Sequence, residues 1–273
     1  MAKTTDKVTI LIVQGVNTVI SVDLNADLGE GFGVYSVCNE EELIPLLTSA
    51  NIACGFHAGD PNIMKRIVKL CVDNNVGIGA HPGFPDLLGF GRRFMVCKDE
   101  ELENYLHYQL GALQAFAKMV DEGIQHCNTH GAWGNWLEKD LEQSRKYVKA
   151  VAKYDDNIII KSISGGYRQQ AAAELGMRAA SEFFADRQLQ NNGRLVPRSV
   201  PGSVLKDKGL IIERVLKAVL EGKATSLDNK ELSVKVDTIL THGDTPGSIE
   251  IVRGIREALE RNGVVIRKMG DFV

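Results

Sequence analysis

The chain has 273 residues, of which 44% are hydrophobic and 25% charged, a composition typical of a folded globular protein and not of a disordered or low-complexity one. Its formal net charge is −3 with both signs interspersed, and it has no long basic block, which argues against a nucleic-acid partner. The longest early apolar run, residues 8–13, is far shorter than the ~20 residues of a membrane span, so we predict neither a membrane segment nor a signal peptide.

Apolar, β-branched segments alternate with helical patterns along most of the chain. In the first half we predict strands at residues 18–24, 50–54 and 76–80, and helices at residues 40–47, 60–75 and 99–121. The helix at 60–75 has the clearest start, because Asp60 is a favourable N-cap and Pro61 a favourable first residue. Its apolar positions fall on one face, as expected for a helix that covers a sheet.

The alternation continues to the C-terminus. We predict strands at residues 124–128, 157–162, 178–183, 234–241 and 264–267, and helices at residues 138–153, 166–175, 206–220 and 246–261. Thr245 is well placed to cap the last helix. No segment resembles a linker, so residues 1–273 are predicted to form a single domain, with residues 1–17 adding a strand or hairpin at one end.

Strand–helix alternation is compatible with both an open doubly wound sheet and a closed barrel. The positions of the unusual polar residues favour the barrel. Each comes at or just past the carboxyl end of a different predicted strand: Asp27, His57, His81, His130, Glu182 and His242. In a barrel these ends meet at one mouth, whereas an open sheet spreads them along a line. We therefore predict an α/β fold, a modified (β/α) barrel of about seven strands.

The five cysteines form no C-x-x-C pair and are widely separated along the chain. Their odd number and scatter are typical of free thiols in a reducing compartment. The sequence therefore predicts a cytoplasmic protein.

Three polar side chains, Asp23, Asn25 and Asp27, alternate along the first strand and so point to the same side of it. Such a set can bind a cation or orient a water molecule, and it can equally satisfy backbone groups at the strand end. Asn25 is predicted to contact substrate.

Four of the six histidines follow predicted strands and lie close to glycine: His57, His81, His130 and His242. Glycine lets a substrate approach closely, and imidazole supplies a base or a ligand near neutral pH. We predict that Asp27 and these four histidines are catalytic. A metal site formed by Asp27 with His57 and His81 could activate water, while metal-free acid–base catalysis by the same groups remains an alternative.

Two charged loops supply further candidates for substrate binding. Arg92 and Arg93 lie in a glycine-rich loop after the third strand, where a guanidinium could bind a carboxylate through two hydrogen bonds. Glu182 and Asp186 lie at the end of the sixth strand, and Asp186 could instead form a structural ion pair with Arg187.

Six segments form a consistent set of motifs from about residue 19 to the C-terminus, namely residues 24–30, 49–61, 79–86, 89–93, 184–187 and 242–246. The longest reads SANIACGFHAGDP, and its thirteen residues are too many for a chance match. Together these motifs closely resemble the LamB/YcsF family. The resemblance implies a modified β/α barrel related to glycoside hydrolases and polysaccharide deacetylases.

The resemblance also implies an activity, because the family contains the A subunit of the prokaryotic ATP-dependent 5-oxoprolinase. That protein works with subunits B and C to convert 5-oxo-L-proline, ATP and water into L-glutamate, ADP and phosphate, so ATP is a co-substrate of the assembled complex. In such a reaction Asp27, His57 or His81 would activate water. His130 or His242 would protonate the departing nitrogen, and an arginine would bind the substrate carboxylate.

The chain departs from the family pattern after the fourth strand. Where the family usually reads Lys-Pro-His-Gly-Ala-Leu-Tyr-Asn, residues 128–135 read Asn-Thr-His-Gly-Ala-Trp-Gly-Asn, and Tyr167 and Arg168 also differ. Losing an ammonium and a phenol would change how an anionic substrate is bound. Two alternatives therefore stay open: a metal-dependent amidase or deacetylase that acts on another lactam or amide without ATP, and a partner subunit that binds a ligand without catalysis. The sequence is also compatible with a homo-oligomer.

Overall fold

The computed structural model describes residues 19–243 and 247–273, so the predicted N-terminal strand or hairpin lies outside the described residues. The described strands are β1 (Ser21–Leu28), β2 (Ser49–Ala53), β3 (Gly77–His81), β4 (His126–Cys127), β5 (Ile159–Ile163), β6 (Ala179–Phe184), β7 (Lys223–Thr225), β8 (Glu231–Ser233), β9 (Thr238–Thr241) and β10 (Val265–Ile266). Strands β1 to β6 pair in parallel in chain order, and β9 pairs with both β6 and β1. The predicted seven-stranded (β/α) barrel is thus confirmed.

The described helices are α1 (Glu40–Leu43), α2 (Pro61–Asp73), α3 (Asp99–Lys118), α4 (Gly131–Leu137), α5 (Leu141–Tyr154), α6 (Tyr167–Glu174), α7 (Lys208–Glu221) and α8 (Ser248–Arg261). Helix α2 begins as predicted, because the Asp60 carboxylate accepts hydrogen bonds from the backbone N–H groups of Asn62 and Ile63. Among the described residues, no helix is long and apolar enough to cross a membrane.

Several element boundaries differ from the sequence-based predictions. The predicted helix at residues 40–47 is a short α1 followed by a 3-10 turn, Ile44–Leu46, that contains Pro45. Helix α8 begins at Ser248 after Gly247, which has φ +78°, and the predicted cap Thr245 lies outside the described residues. The predicted strand at residues 234–241 is shortened to β9. The prediction of a single domain stays a prediction.

Two elements were missed from the sequence. Helix α4 contains two glycines in seven residues, a composition of low helix propensity, and is held instead by burial of Trp133 and Leu137. The hairpin of β7 and β8 consists of two three-residue strands that pair antiparallel outside the barrel. Neither segment is long enough to show a clear hydrophobic period.

The barrel interior contains a polar network around one lysine. Lys161 Nζ lies 2.6 Å from Glu182 Oε1 and donates hydrogen bonds to Asn25 Oδ1 at 2.9 Å and Asn51 Oδ1 at 2.8 Å. His126 Nε2 donates to the same Asn51 oxygen at 2.8 Å. The side chains of Lys161 and Glu182 have no exposed surface, so the pair offsets the cost of burying two charges. This network connects β1, β2, β4, β5 and β6.

The amino end of the barrel is closed by the C-terminal segment. Strand β10 pairs in parallel with the start of β1, and the turn Met269–Asp271 follows it. Met269 is fully buried against Ile159 and Ala180, which lie at the starts of β5 and β6. The carboxyl end, where the predicted catalytic residues lie, is therefore the end at which a ligand can enter.

Candidate functional site

A cavity of ≈ 320 Å³ lies at the carboxyl ends of the barrel strands. Acidic and imidazole side chains that line it are Asp27, Glu30, Glu138, His81, His130 and His242. Basic side chains that line it are Arg92, Lys139, Arg168, Arg187, Arg194 and Arg198. The excess of basic over acidic groups makes the cavity suitable for an anionic ligand.

Four buried side chains meet at one point of this site. Glu30 Oε1 lies 3.1 Å from His57 Nε2 and 3.2 Å from His130 Nδ1. His81 Nε2 lies 3.0 Å from His130 Nδ1 and 3.9 Å from Glu30 Oε1. We call these four residues the Glu30–histidine cluster. Their ligand atoms all lie within 4.8 Å of one another, so the cluster could hold a metal ion.

Each member of the cluster lies at the carboxyl end of a barrel strand or in the loop that follows it. Glu30 comes two residues after β1, His57 follows β2, His81 ends β3, and His130 caps α4 after β4. The rings of His57 and His130 are stacked with centroids 3.8 Å apart and planes 3° from parallel. Because parallel strands bring their carboxyl ends together in a barrel, residues distant in sequence converge here.

Burial determines the charge state of the cluster's imidazoles. It lowers the pKa of His57 well below its ordinary value, and the neighbouring His130 and His81 add to the effect. Burial likewise lowers the pKa of His130 to about 3. Burial also lowers the pKa of His81, although Asp27 opposes the shift. The three imidazoles are therefore neutral at neutral pH.

Asp27 and His242 have the opposite tendency, each favouring its charged form. Asp27 accepts a hydrogen bond from the Asn51 amide at 2.8 Å, and although burial alone would raise its pKa, attraction to His242 and Lys161 contributes to lowering it. His242 Nδ1 lies 2.9 Å from both oxygens of Asp186. Burial would lower the pKa of His242, but the Asp186 carboxylate raises it.

The predicted catalytic residues are brought close to one site. Asp27, His81, His130 and His242 line the cavity, and His57 is fully buried behind it in the cluster. Of the set predicted to hold a metal, His57 and His81 belong to the cluster, while Asp27 Oδ1 lies 3.5 Å from His81 Nε2.

The predicted substrate-binding residues are divided between several environments. Arg92 lines the cavity, with its guanidinium 5.1 Å from the centre of the Phe90 ring. Arg93 forms an ion pair with Asp86 on the same loop, and 66% of its side chain is exposed.

The remaining three predicted binding residues are buried. Asn25 and Glu182 lie inside the barrel in the Lys161 network. Asp186 contacts His242, while the Arg187 guanidinium donates to the carbonyl groups of Val196 and Ser203.

Several residues of the site were missed from the sequence. Glu30 had a usable signal, because it follows β1 directly in the run Asp27-Leu28-Gly29-Glu30 and is flanked by glycine. Arg187, Arg194 and Arg198 come from the irregular loop after β6, which has no hydrophobic period to indicate where its side chains lie.

The positions that depart from the family pattern contact one another. The Arg168 guanidinium donates to Thr129 Oγ1 at 3.0 Å and to Asn128 Oδ1 at 3.3 Å, and its Nε lies 2.7 Å from Glu138 Oε1. A Cβ added at Gly134 would lie 2.5 Å from the Thr129 carbonyl oxygen. The changed residues thus pack together around the buried guanidinium of Arg168.

Comparison with known proteins agrees with the resemblance seen in the motifs. A model of the LamB/YcsF family matches residues 22–273. The chain is 46% identical over 252 residues to the A subunit of 5-oxoprolinase from Pyrococcus abyssi, covering 92% of this chain and 99% of that protein. It is 45% identical over 248 residues to the A subunit of 5-oxoprolinase from Syntrophobacter fumaroxidans, covering 91% of this chain and 98% of that protein.

A solved structure gives the same result at the level of the fold. The crystal structure of the lactam utilization protein from Thermus thermophilus is similar with a TM-score of 0.85 and 41% identity, over 90% of this chain and 99% of that one. The chain therefore belongs to the LamB/YcsF family.

Proposed function

We propose that this chain is a hydrolase that opens a lactam ring, acting as the A subunit of an ATP-dependent 5-oxoprolinase that converts 5-oxo-L-proline to L-glutamate. The names of its relatives support this substrate class. The observation that carries the proposal is the combination, in one cavity, of an acid whose pKa is lowered, an imidazole whose pKa is raised and several arginines. A ring-opening hydrolase that acts on a carboxylated lactam needs each of these groups.

Asp27 and His242 take the two proton-transfer roles. The low pKa of Asp27 keeps it ionised, so it can orient water and accept its proton as the water attacks the lactam carbon. The Asp186 carboxylate raises the pKa of His242 and so favours its protonated form, which can donate to the nitrogen as the ring C–N bond breaks. The products are then a free amine and a second carboxylate. Two titratable groups with opposite shifts are typical of an acid–base pair.

Arg92 binds the substrate carboxylate. It lines the cavity and lies on the loop that also carries Phe90, whose carbonyl group contacts His130 at 2.8 Å. The loop therefore fixes the position of Arg92 relative to the Glu30–histidine cluster. A guanidinium in this position can form two parallel hydrogen bonds to a carboxylate.

Subunits B and C, with ATP as co-substrate, complete the proposed enzyme. The lactam is a resonance-stabilised amide, and transfer of the γ-phosphoryl group of ATP to its oxygen would release ADP and make the ring carbon a better target for water. Ring opening would then give an acyl phosphate, which a second water molecule would hydrolyse to the carboxylate and inorganic phosphate. The chain's sequence lacks a G-x-x-x-x-G-K-[ST] phosphate loop, so we assign the nucleotide site to the partners. Cys54, Cys71, Cys97 and Cys127 are free thiols, which supports a reducing, cytoplasmic setting.

A second candidate function is a metal-dependent amidase that acts without ATP or partners. The Glu30–histidine cluster favours it, because imidazole and carboxylate ligands are typical of catalytic metal centres. The two functions differ in what they require for turnover, and that difference provides the test.

The deciding measurement is glutamate release from 5-oxo-L-proline by the purified chain, with and without ATP and with and without its cognate B and C subunits. We expect turnover only when ATP and all three subunits are present. Turnover of a lactam by the chain alone, without ATP, would support the amidase. No turnover by the complete mixture would reject the oxoprolinase assignment.

Two neighbouring arginines provide a matched pair of variants in the same assay. Arg92→Met should lower kcat/KM by about 10–100-fold, mainly through KM, because a charge-assisted contact contributes roughly 1.5–3 kcal/mol. Arg93→Met should leave KM close to the wild-type value, because Arg93 pairs with Asp86 and does not line the cavity. Equal effects of the two changes would contradict the role given to Arg92.

A further inference from the structure

The strongest unexplained feature of the molecule is the close approach of nitrogen atoms in the Glu30–histidine cluster. We infer that Glu30, His81 and His130 together form a binding site for one divalent transition-metal ion of the zinc type, with His57 hydrogen-bonded to Glu30 beside it. This inference does not rest on the proposed oxoprolinase activity, because it concerns ion binding by the chain alone.

The hydrogen bonds on the far sides of two rings determine where their protons are. His81 Nδ1 lies 2.6 Å from the carbonyl oxygen of Asn128, and His130 Nε2 lies 2.8 Å from the carbonyl oxygen of Phe90. A carbonyl oxygen only accepts hydrogen bonds, so both of these nitrogens carry a proton. In the neutral rings, His81 Nε2 and His130 Nδ1 therefore both present lone pairs.

Those two lone pairs face each other at 3.0 Å. No hydrogen bond can join two nitrogens that both lack a proton, and their mutual repulsion would separate the rings unless a cation lies beside them. Two carboxylates lie beside the pair, Glu30 Oε1 at 3.2 Å from His130 Nδ1 and Asp27 Oδ1 at 3.5 Å from His81 Nε2, so the surroundings favour a cation here. A metal ion satisfies both nitrogens at once.

The carboxylate of Glu30 is directed to the same place, with its Oε1 3.2 Å from His130 Nδ1. The same oxygen accepts a hydrogen bond from His57 Nε2 at 3.1 Å. Because the His57 ring is stacked on the His130 ring, one ion cannot lie in the plane of both, so His57 supports the carboxylate and is not a ligand. For a tetrahedral zinc ion with bonds of about 2.0–2.1 Å, neighbouring ligand atoms lie about 3.3–3.4 Å apart. The separations of His130 Nδ1 from His81 Nε2 and from Glu30 Oε1, 3.0 and 3.2 Å, agree with that spacing to within a few tenths of an ångström, and the third, 3.9 Å from His81 Nε2 to Glu30 Oε1, is wider.

The surrounding backbone holds the rings in position before any ion binds. A Cβ added at Gly91 would lie 2.7 Å from His57 Cβ and 2.9 Å from His130 Cδ2, and one added at Gly83 would lie 2.7 Å from His57 Nδ1. The two glycines thus let the loop after β3 pack directly against the stacked rings. The carbonyl partners of His81 and His130 fix their orientations, as outer contacts commonly do around bound metals.

The donor set indicates the kind of ion. Two imidazoles and one carboxylate suit zinc, cobalt, nickel or iron, whereas calcium and magnesium prefer oxygen ligands. All three ligands line the cavity, so a further coordination position can face a ligand bound there.

The test measures ion binding by the full chain in the absence of substrate. Purified protein is stripped with a chelator, dialysed and titrated with Co²⁺ and then Zn²⁺, following the visible d–d absorption of cobalt, its displacement by zinc, and the metal content by mass spectrometry. We expect one cobalt per chain with the spectrum of a four- or five-coordinate ion, full displacement by zinc, and a rise in Tm with zinc. Less than one-tenth equivalent bound would overturn the inference.

Ligand variants and a histidine control locate the ion. Glu30→Gln and His130→Gln should each weaken zinc binding by about 100-fold or more, since loss of even an outer partner costs about 10–100-fold. His107→Gln should bind like the wild type, because His107 lies on α3 and contacts the Ala150 carbonyl group. Wild-type stoichiometry and spectrum in both cluster variants would contradict the site. If either variant fails to fold, the zinc-dependent rise in wild-type Tm decides, and its absence counts against the site.

Discussion

At the scale of single residues, the cavity separates two kinds of titratable group. The imidazoles of the Glu30–histidine cluster are kept neutral by burial, whereas Asp27 and His242 are kept charged by their neighbours. The difference lies in the partners, because His242 has both oxygens of the Asp186 carboxylate at 2.9 Å, whereas Glu30 is shared among three rings and Asp27 lies 3.5 Å from His81 alone. Environment rather than residue type assigns the protonation states.

Changing Asp186 to Asn should lower the pKa of His242 below that of the wild type. Asp186 supplies the attraction and the hydrogen bond that raise it, so burial would dominate in the variant. The raised pKa of His242 stabilises the folded wild type. This contribution is fully present below pH 6.5, the ordinary pKa of histidine, and is lost as the pH rises through the pKa of His242 in the folded protein. Asp186→Asn should therefore cost about 1–3 kcal/mol at pH 6 and less at pH 9. NMR titration of the histidine Cε1–H signals and urea unfolding at both pH values measure these effects.

Asp73→Asn provides the control for this experiment. Asp73 forms an exposed pair with Lys69 one helical turn away, so its loss should change the unfolding free energy by less than about 0.5 kcal/mol. A wild-type His242 titration in Asp186→Asn would show that another group holds its proton.

At the scale of elements, glycine has different effects in a barrel strand and in a surrounding helix. Gly79 lies in β3, and a Cβ there would overlap the ring of His126, which is itself held by Asn51. Gly111 lies on the exposed face of α3, and a Cβ there would meet nothing within 4 Å. Absence of a side chain at Gly79 therefore makes room for the polar network inside the barrel.

Gly79→Ala should destabilise the fold by about 1–3 kcal/mol, because overpacking displaces a buried, hydrogen-bonded ring. Gly111→Ala should stabilise it by about 0.5–1 kcal/mol, because alanine favours the helix. Urea unfolding of both variants beside the wild type gives the comparison. A neutral Gly79→Ala would mean that the His126 ring can move without losing its contacts.

At the scale of the whole molecule, the two ends of the barrel serve different purposes. The carboxyl end carries the cavity and its charged lining, while the amino end is closed by the buried Met269. A change at the closed end should therefore affect stability and leave chemistry unaffected.

Met269→Ala should lower the unfolding free energy by about 2–5 kcal/mol, as expected when a buried methionine leaves a cavity. Met119→Ala, at a side chain that is 68% exposed, should change it by less than about 0.5 kcal/mol. Equilibrium unfolding measures both values. At a temperature where both variants stay folded, cobalt binding by Met269→Ala should equal that of the wild type, and loss of binding would show that the two ends are coupled.

The sequence by itself determined the order of strands and helices, the choice of a barrel, and the positions of the histidines after their strands. These properties follow from local hydrophobic periods and turn residues, which are readable without knowing what packs against them. Only the tertiary structure decided that Glu30 joins three histidines, that Glu182 and Asn25 lie inside the barrel with Lys161, and that Arg92 lines the cavity while Arg93 does not. These outcomes depend on contacts between residues far apart in the chain, and no local pattern specifies which distant group a side chain will meet.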